Sequence, residues 1–318
     1  MALMDKARQL TSVQHKKPFV INRLLDATLQ PDGLNRHQNI LNFVNKSGLQ
    51  KLLPLWPGRS KTSITKSSRF LAHSDTQSFK DYYPANKSER GSVLLFTGCM
   101  GASFNADTIQ SCIKLLTHFG FNVHIPVNQH CCGALHQHNG QIERAQELAD
   151  KNATSFQQYN VDAIIHIDSG CGSQLAQQQT SIALYNINQF VLEQIKPEAN
   201  HFNACSQTIL LHESCSLRNS LKLAGVTRNL LQLIPELCIQ ALDNPQTCCG
   251  AGGSNLIEYP ELADQLLEQK FSTTPSSDIQ QLISDNIGCS LHFKSGLKQK
   301  KITLQVIHPL TLLASQLK

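Results

Sequence analysis

From residue 93 onward, short apolar runs alternate with stretches whose apolar residues recur at helical spacing. Val93 to Thr97 is a brief run with β-branched character, followed at once by Gly98. Ile109 to Phe119 carries the helical period and is closed by Gly120, which suits a helix C-terminus. Phe121 to Val127 reads as a second strand, Gln141 to Gln158 as a polar-faced helix, and Ala163 to Ile167 as a third strand. The order then starts again. Thr208 to Leu211 is a strand, Leu237 to Leu242 an apolar run, Glu261 to Phe271 a helix, and Ile279 to Ile283 a strand. Strands alternating with helices predict an α/β fold of two duplicated units with parallel-sheet βαβ character. In such sheets, ligand-binding groups gather beyond the carboxyl ends of the strands.

The first 90 residues have another texture. Pro18 to Gln30 and His37 to Val44 have apolar residues at helical spacing, ending near Leu52-Leu53-Pro54. Gly58 to Lys87 is rich in Ser, Thr and Lys and reads as an irregular linker. The expected organisation is a basic arm and linker over 1–90, a first cysteine-rich unit over 91–200 and a second over 201–318. Charge follows the same division: the arm has 15 Lys and Arg against 6 Asp and Glu, the remainder 13 against 17. Its few aromatics are scattered and no stacking or groove-reading motif accompanies the charge, so no nucleic-acid partner is expected. The arm reads as a solvated linker that docks on an acidic partner. Met1 to Leu10 lacks the apolar run of a secretory signal, and Val93-Leu94-Leu95-Phe96 is too short to span a bilayer. The expected location is therefore cytoplasmic. There, eleven cysteines read as metal ligands or redox thiols rather than structural disulfides.

Eight of those cysteines repeat. Cys99, Cys131, Cys132 and Cys171 are followed by Cys215, Cys248, Cys249 and Cys289 at offsets of 116, 117, 117 and 118 residues. Two copies of one supersecondary unit, each presenting four thiols in the same order, account for this agreement. All eight are expected on loops just after strands. Four thiolates per unit match the coordination of a [4Fe-4S] cluster, so one or two clusters are expected, with all eight cysteines as cofactor and metal ligands. Glycines beside them (Gly98, Gly133, Gly170, Gly250, Gly288) let backbone N–H groups approach cluster sulfurs. Two alternatives stay open. One is a zinc-stabilised, non-enzymatic interaction scaffold, although zinc sites favour tight knuckles over adjacent cysteines with long gaps. The other is a thiol–disulfide oxidoreductase using Cys131-Cys132 or Cys248-Cys249.

Other residues carry weaker signals. Cys112 and Cys238 lie in apolar patterns and read as small buried hydrophobes, and Cys205 also falls outside the repeat. His130 stands next to Cys131, while His136 and His138 are expected to be partly exposed polar residues. His212 and His292, close to Cys215 and Cys289, read either as neighbours tuning the site or as plain polar residues. Gly250-Ala251-Gly252-Gly253 puts Asn255 where a dinucleotide fingerprint needs its third glycine, so no nucleotide site is expected. No Ser/His/Asp arrangement or paired carboxylate motif supports a catalytic residue.

Cys131-Cys132-Gly133, Ser169-Gly170-Cys171-Gly172, Cys248-Cys249-Gly250-Ala251-Gly252-Gly253 and Asn286-Ile287-Gly288-Cys289 resemble the cysteine-rich domains of the glycolate oxidase iron–sulfur subunit family. Related domains occur in anaerobic glycerol-3-phosphate dehydrogenase, lactate-utilisation proteins and heterodisulfide reductase. The resemblance covers roughly residues 90–318. It implies an electron-transfer subunit of an oxidoreductase complex rather than a self-sufficient enzyme. An FAD-containing partner would oxidise a 2-hydroxy acid of the glycolate or lactate type and pass electrons through this chain to a downstream acceptor. Association with the inner face of a membrane would come through that complex. Two departures stand out. The family's N-terminal ferredoxin-like Cys-x-x-Cys runs are missing here, which implies a shorter relay, a separate ferredoxin-like protein, or a truncated remnant. Heterodisulfide reductase units end in Cys-x-x-Cys, whereas this chain has Gln174 and His292 at the extra position, against a five-cysteine cluster but leaving His292 open as a ligand or a hydrogen-bond donor to the cluster.

Overall fold

The structure, a computed structural model, describes residues 19–29 and 77–318 except 179, 274 and 277. The helical stretch expected at His37 to Val44 and most of the linker lie outside these residues. Two sheets carry the fold. The first contains β1 (Tyr82–Tyr83), β2 (Gly91–Phe96), β3 (Phe121–His124), β4 (Ala163–His166) and β5 (Ala183–Asn186), in lateral order β1-β3-β2-β4-β5. The second contains β6 (Thr208–His212), β7 (Cys238–Ala241), β8 (Gln281–Ser284) and β9 (Gln305–Ile307), in order β7-β6-β8-β9. Every pairing is parallel except that of β1 with β3. Without β1, the two sheets have the same strand order. The mixed α/β class and the duplication are both as the sequence pattern predicts. β1 is a small correction, because it falls in the stretch expected to be irregular. The open edge of β3 supplies the partner, and Tyr82 rests its ring on His124 at 4.9 Å.

Helices fill the crossovers, as parallel strands require. In the first half these are α1 (Phe19–Thr28), α2 (Gly98–Phe104), α3 (Ala106–His118), α4 (Ala134–His138), α5 (Ile142–Phe156), α6 (Ser169–Leu175) and α7 (Ile187–Phe190), which runs on into a π turn. In the second they are α8 (Val226–Leu231), α9 (Asn255–Glu258), α10 (Pro260–Lys270), α11 (Ile287–Lys300) and α12 (Pro309–Ser315).

Alternate residues of each central strand go to different cores, following the two-residue period of a strand. Val93 and Leu95 of β2 share one continuous core with Ile209 and Leu211 of β6, together with Ile165, Ile283 and Leu310. Leu94 and Phe96 pack in a cluster private to the first half, which contains Cys131 and Cys132. Leu210 packs in the corresponding cluster of the second half, with Cys249 and Cys289. The cysteines thus occupy the outer layers, and the inner layer joins the halves. α12 completes that joint by returning to the first half, where Lys114 Nζ donates to the Ala314 carbonyl at 2.8 Å. At the other end of the chain, α1 docks on the first half. Leu25 is fully buried, Thr28 Oγ1 and His136 Nε2 share a hydrogen bond of 3.0 Å, and Asp26 meets Arg144 at 3.0 Å. This described part of the basic arm is packed in cis rather than solvated.

Close packing of helix on strand is tightest behind Cys171. A Cβ added at Gly172 would lie 1.9 Å from the ring of the buried His166. Gly172→Ala is expected to destabilise the protein by about 1–3 kcal/mol. The urea midpoint would fall with little change in slope, and an unchanged midpoint would show that the strand end has room to relax.

Candidate metal centre

All eight repeat cysteines lie at the carboxyl ends of parallel strands, but not all on loops. Cys99, Cys171 and Cys289 sit in the first turns of α2, α6 and α11, Cys215 opens the π turn Ser216–Ser220, and Cys131-Cys132 and Cys248-Cys249 occupy the loops before α4 and α9. This corrects the all-loop expectation. Its physical reason is that a helix follows each of these strands at once, so the cysteine falls within a first turn, which a capping side chain closes at Cys171 and Cys289.

In each half the four thiols form a chain of contacts in the same order. Cys99 hydrogen-bonds with Cys131, Cys131 with Cys132, and Cys132 with Cys171. Cys215 does so with Cys248, Cys248 with Cys249, and Cys249 with Cys289. None of the eight is in a disulfide. The first set closes on itself, since a Cβ at Gly98 would lie 3.4 Å from Cys171 Sγ. Glycine is required after each cysteine pair: Gly133 and Gly250 have φ of +84° and +91°, and added Cβ atoms would stand 3.0 Å and 2.7 Å from the carbonyls of Ala145 and Ala263.

The electrostatics repeat too. Cys131 and Cys248, each accepting from two neighbouring thiols, are held well below the usual thiol range. Gly250 N–H also donates to Cys248 Sγ at 3.3 Å. Their partners Cys99, Cys132, Cys215 and Cys249 are pushed up by those same contacts and by burial. Each half therefore presents four thiols in one connected row, with one member held low by its two neighbours, a donor set suited to a thiophilic metal centre that deprotonates the thiols on binding. The second half adds an orphan. His212 is buried, its Nε2 has no hydrogen-bond partner, and one ring nitrogen lies within 4.8 Å of Cys249 and Cys289 Sγ. A buried imidazole nitrogen left unpaired beside thiols fits an electron-poor group between them.

The other residues singled out by the sequence have structural places. His292 Nδ1 donates to the Cys249 carbonyl at 2.9 Å and its Nε2 is 3.8 Å from Asp264, so it orients the cysteine loop rather than joining the thiols. His136 is fully buried between Thr28 and Gln141, which corrects its expected exposure; α1 is what covers it. Cys112 is buried as expected, but Cys238 is exposed, because it lies on the edge strand β7, whose residues are mostly in contact with water. Cys205 is buried.

Sequence reasoning missed the polar seam between the two sites. Asp168 caps α6, accepting from Gly170 N–H at 2.8 Å and Cys171 N–H at 3.0 Å, and its other oxygen accepts from Ile287 N–H at 2.6 Å in the second half. Asn286 caps α11 in the same manner, accepting from Cys289 N–H at 3.1 Å. The hydroxyls of Ser169, Ser214 and Ser216 lie 2.8–3.1 Å apart between them. Asp285, buried beside this cluster, accepts from Ser214 N–H at 3.1 Å. The available signal was an Asp or Asn three residues before each third-motif cysteine.

With this geometry in view, residues 93–176 and 209–294, more than half of the chain, match the CCG cysteine-rich domain. The chain belongs to the CCG cysteine-rich domain family. Among curated proteins, this CCG protein is 24% identical to the probable glycolate oxidase iron–sulfur subunit of Bacillus subtilis, over 96% of this chain and 74% of that protein. It is 29% identical to an uncharacterized iron–sulfur protein of Methanococcus maripaludis, over 66% of this chain and 42% of that one. It is 23% identical to a lactate utilization protein of Shouchella clausii, over 68% of this chain and 95% of that one. The CCG chain thus spans under half of the Methanococcus protein and nearly all of the lactate utilization protein. An aspartate racemase structure from Picrophilus torridus aligns at 11% identity with a TM-score of 0.33, over 70% of this chain and 90% of that one, too remote to bear on the site. No helix among the described residues is long and apolar enough to cross a membrane.

The seam makes stability depend on pH. Burial, with Asp168 and Glu213 nearby, raises Asp285 from 3.8 to about 7. Between those values the folded protein keeps a proton that the unfolded chain releases, so this contribution is full below about pH 4 and is lost as pH rises through 7. Asp285→Asn, which still accepts from Ser214, is expected to flatten a fall of up to about 4 kcal/mol across that range. Parallel stability curves for the two proteins between pH 4 and 7 would show that the carboxyl is not buried as described.

Proposed function

We propose that this CCG protein is an iron–sulfur electron-transfer subunit. One cluster of the [4Fe-4S] type would be held by Cys99, Cys131, Cys132 and Cys171, and a second by Cys215, Cys248, Cys249 and Cys289. The observation that carries the reading is the repeated row of four thiols in contact, at the same edge of two equivalent sheets. Relatives described as iron–sulfur proteins support electron transfer as the general role. When bound, the clusters supply one-electron redox change; the chain supplies thiolate ligands, burial and a backbone donor to sulfur at Gly250.

The finer reading extends this role to partners and goes beyond the relatives' descriptions, which name glycolate oxidase and lactate utilization. An FAD-containing dehydrogenase subunit acting on a glycolate- or lactate-type 2-hydroxy acid would deliver electrons singly, and a downstream acceptor or separate ferredoxin-like protein would remove them. The protein would work in the cytoplasm, or on the inner membrane face through its complex. The half-buried Cys99 and Cys171 and the exposed Cys215 support this role, because each site has one side within reach of a docking partner.

Anaerobic purification with iron, acid-labile sulfide and zinc measured on one sample tests the proposal. The expected protein is brown, with iron and sulfide in equal amounts, roughly eight of each at full occupancy of both sites. Cys131→Ser and Cys248→Ser are each expected to remove about half of both, with the two halves of the loss additive. Stoichiometric zinc without sulfide, or a colourless protein after anaerobic reconstitution, would favour the scaffold reading.

A further inference from the structure

The two halves share a frame, so each position near one site has a counterpart near the other. α5 and α10 begin at Ile142 and Pro260, and both pack against the glycine after a cysteine pair, which matches Asn152 to Lys270. The helix caps match Asp168 to Asn286. The spacing from Cys99 and from Cys215 matches Ala102 to Arg218. At all three pairs the difference in charge has the same sign.

In the first half, Asn152 is neutral and fully buried, accepting from His130 N–H at 2.8 Å and donating to the Cys131 carbonyl at 3.0 Å. The Asp168 carboxyl group, three residues before Cys171, is bonded to its N–H and acts on its thiol. In the second half, Lys270 has no exposed surface, donates to the Asn244 carbonyl, and feels the thiols of Cys248, Cys249 and Cys289. Arg218 grips the next two residues, donating to the Pro245 carbonyl and to Gln246 Oε1 at 3.0 Å, and it acts on Cys215. Two cations thus clasp the segment that leads into Cys248. Of the second half's acidic groups, Glu213 accepts from Gly225 N–H at 3.1 Å, Asp285 holds Ser214 N–H at the seam, and Asp264 faces His292 Nε2 at 3.8 Å. The second site also has more contact with water, through Cys215.

An added electron increases negative charge, so nearby cations, the loss of a nearby carboxylate and access to water all favour the reduced state. We infer that Arg218 and Lys270 give the second thiol site the higher electron affinity, so that electrons enter at the first site and leave from the second. The inference rests on the iron–sulfur reading above. The path between the sites is short in bonds: Cys171 N–H and Ile287 N–H, the latter two residues from Cys289, meet on the two oxygens of Asp168.

The test is a redox titration of the full-length, reconstituted protein followed by electron paramagnetic resonance, with Cys131→Ser and Cys248→Ser used to assign each signal. The second site is expected to reduce first. Arg218→Gln and Lys270→Met are each expected to shift only that site, disfavouring its reduced form at least tenfold at a fixed potential, or about 59 mV for one electron. Asp168→Asn, which copies the cap of the second half, is expected to move the first site in the opposite direction, towards easier reduction. Arg218 is partly exposed, so its variant keeps the test sound if the buried Lys270→Met fails to fold. Coincident or inverted potentials, or unmoved potentials in Arg218→Gln and Asp168→Asn with full iron and sulfide, would overturn the inference and leave the iron–sulfur reading standing. A chain that takes up no iron and sulfide would overturn both.

Discussion

Parallel strand pairing is the constraint on which the rest of this structure depends. It sends every strand of a sheet in one direction, so all carboxyl ends meet at one edge and every connection must cross back through a helix. Cysteines as far apart in sequence as Cys99, Cys132 and Cys171 come into contact only because β2, β3 and β4 end side by side. The private cores behind the two sites exist for the same reason, since crossover helices cover the outer faces of the sheets. Glycine after each cysteine pair follows from it as well. The loop must turn tightly against the first turn of the helix that leaves this edge for the next strand, and only a residue without a side chain fits there.

Residues with a periodic or repeated signature were legible from the sequence. The α/β class, the duplication and the gathering of the eight cysteines at strand ends all follow from hydrophobic period and spacing, which are local or pairwise properties. What escaped depends on which surface is covered by something distant. Cys238 looked like a core residue because its neighbours are apolar, yet β7 is an edge and carries it into water. His136 looked like a surface residue because its neighbours are polar, yet α1, over a hundred residues away, lies across it. Neither error is visible in a window of neighbouring residues.

The seam shows a related blindness. Asp168 is an ordinary helix cap in its own half, and a cap is readable from sequence. Its second oxygen serves Ile287, and that role appears only when the halves are assembled. Lys270 shows it within one half, enclosed where its ammonium donates to the Asn244 carbonyl. Buried polar groups of this kind persist only where their partners are fixed in place.

The inner layer has a consequence for the protein as a physical object. Since Val93 and Leu95 share one core with Ile209 and Leu211, and α12 at the end of the chain is bonded to α3 in the first half, neither repeat has a complete interior of its own. Splitting the chain between the repeats would expose the apolar inner face of each sheet to water. Damage to either repeat therefore reaches the interior that both of them need.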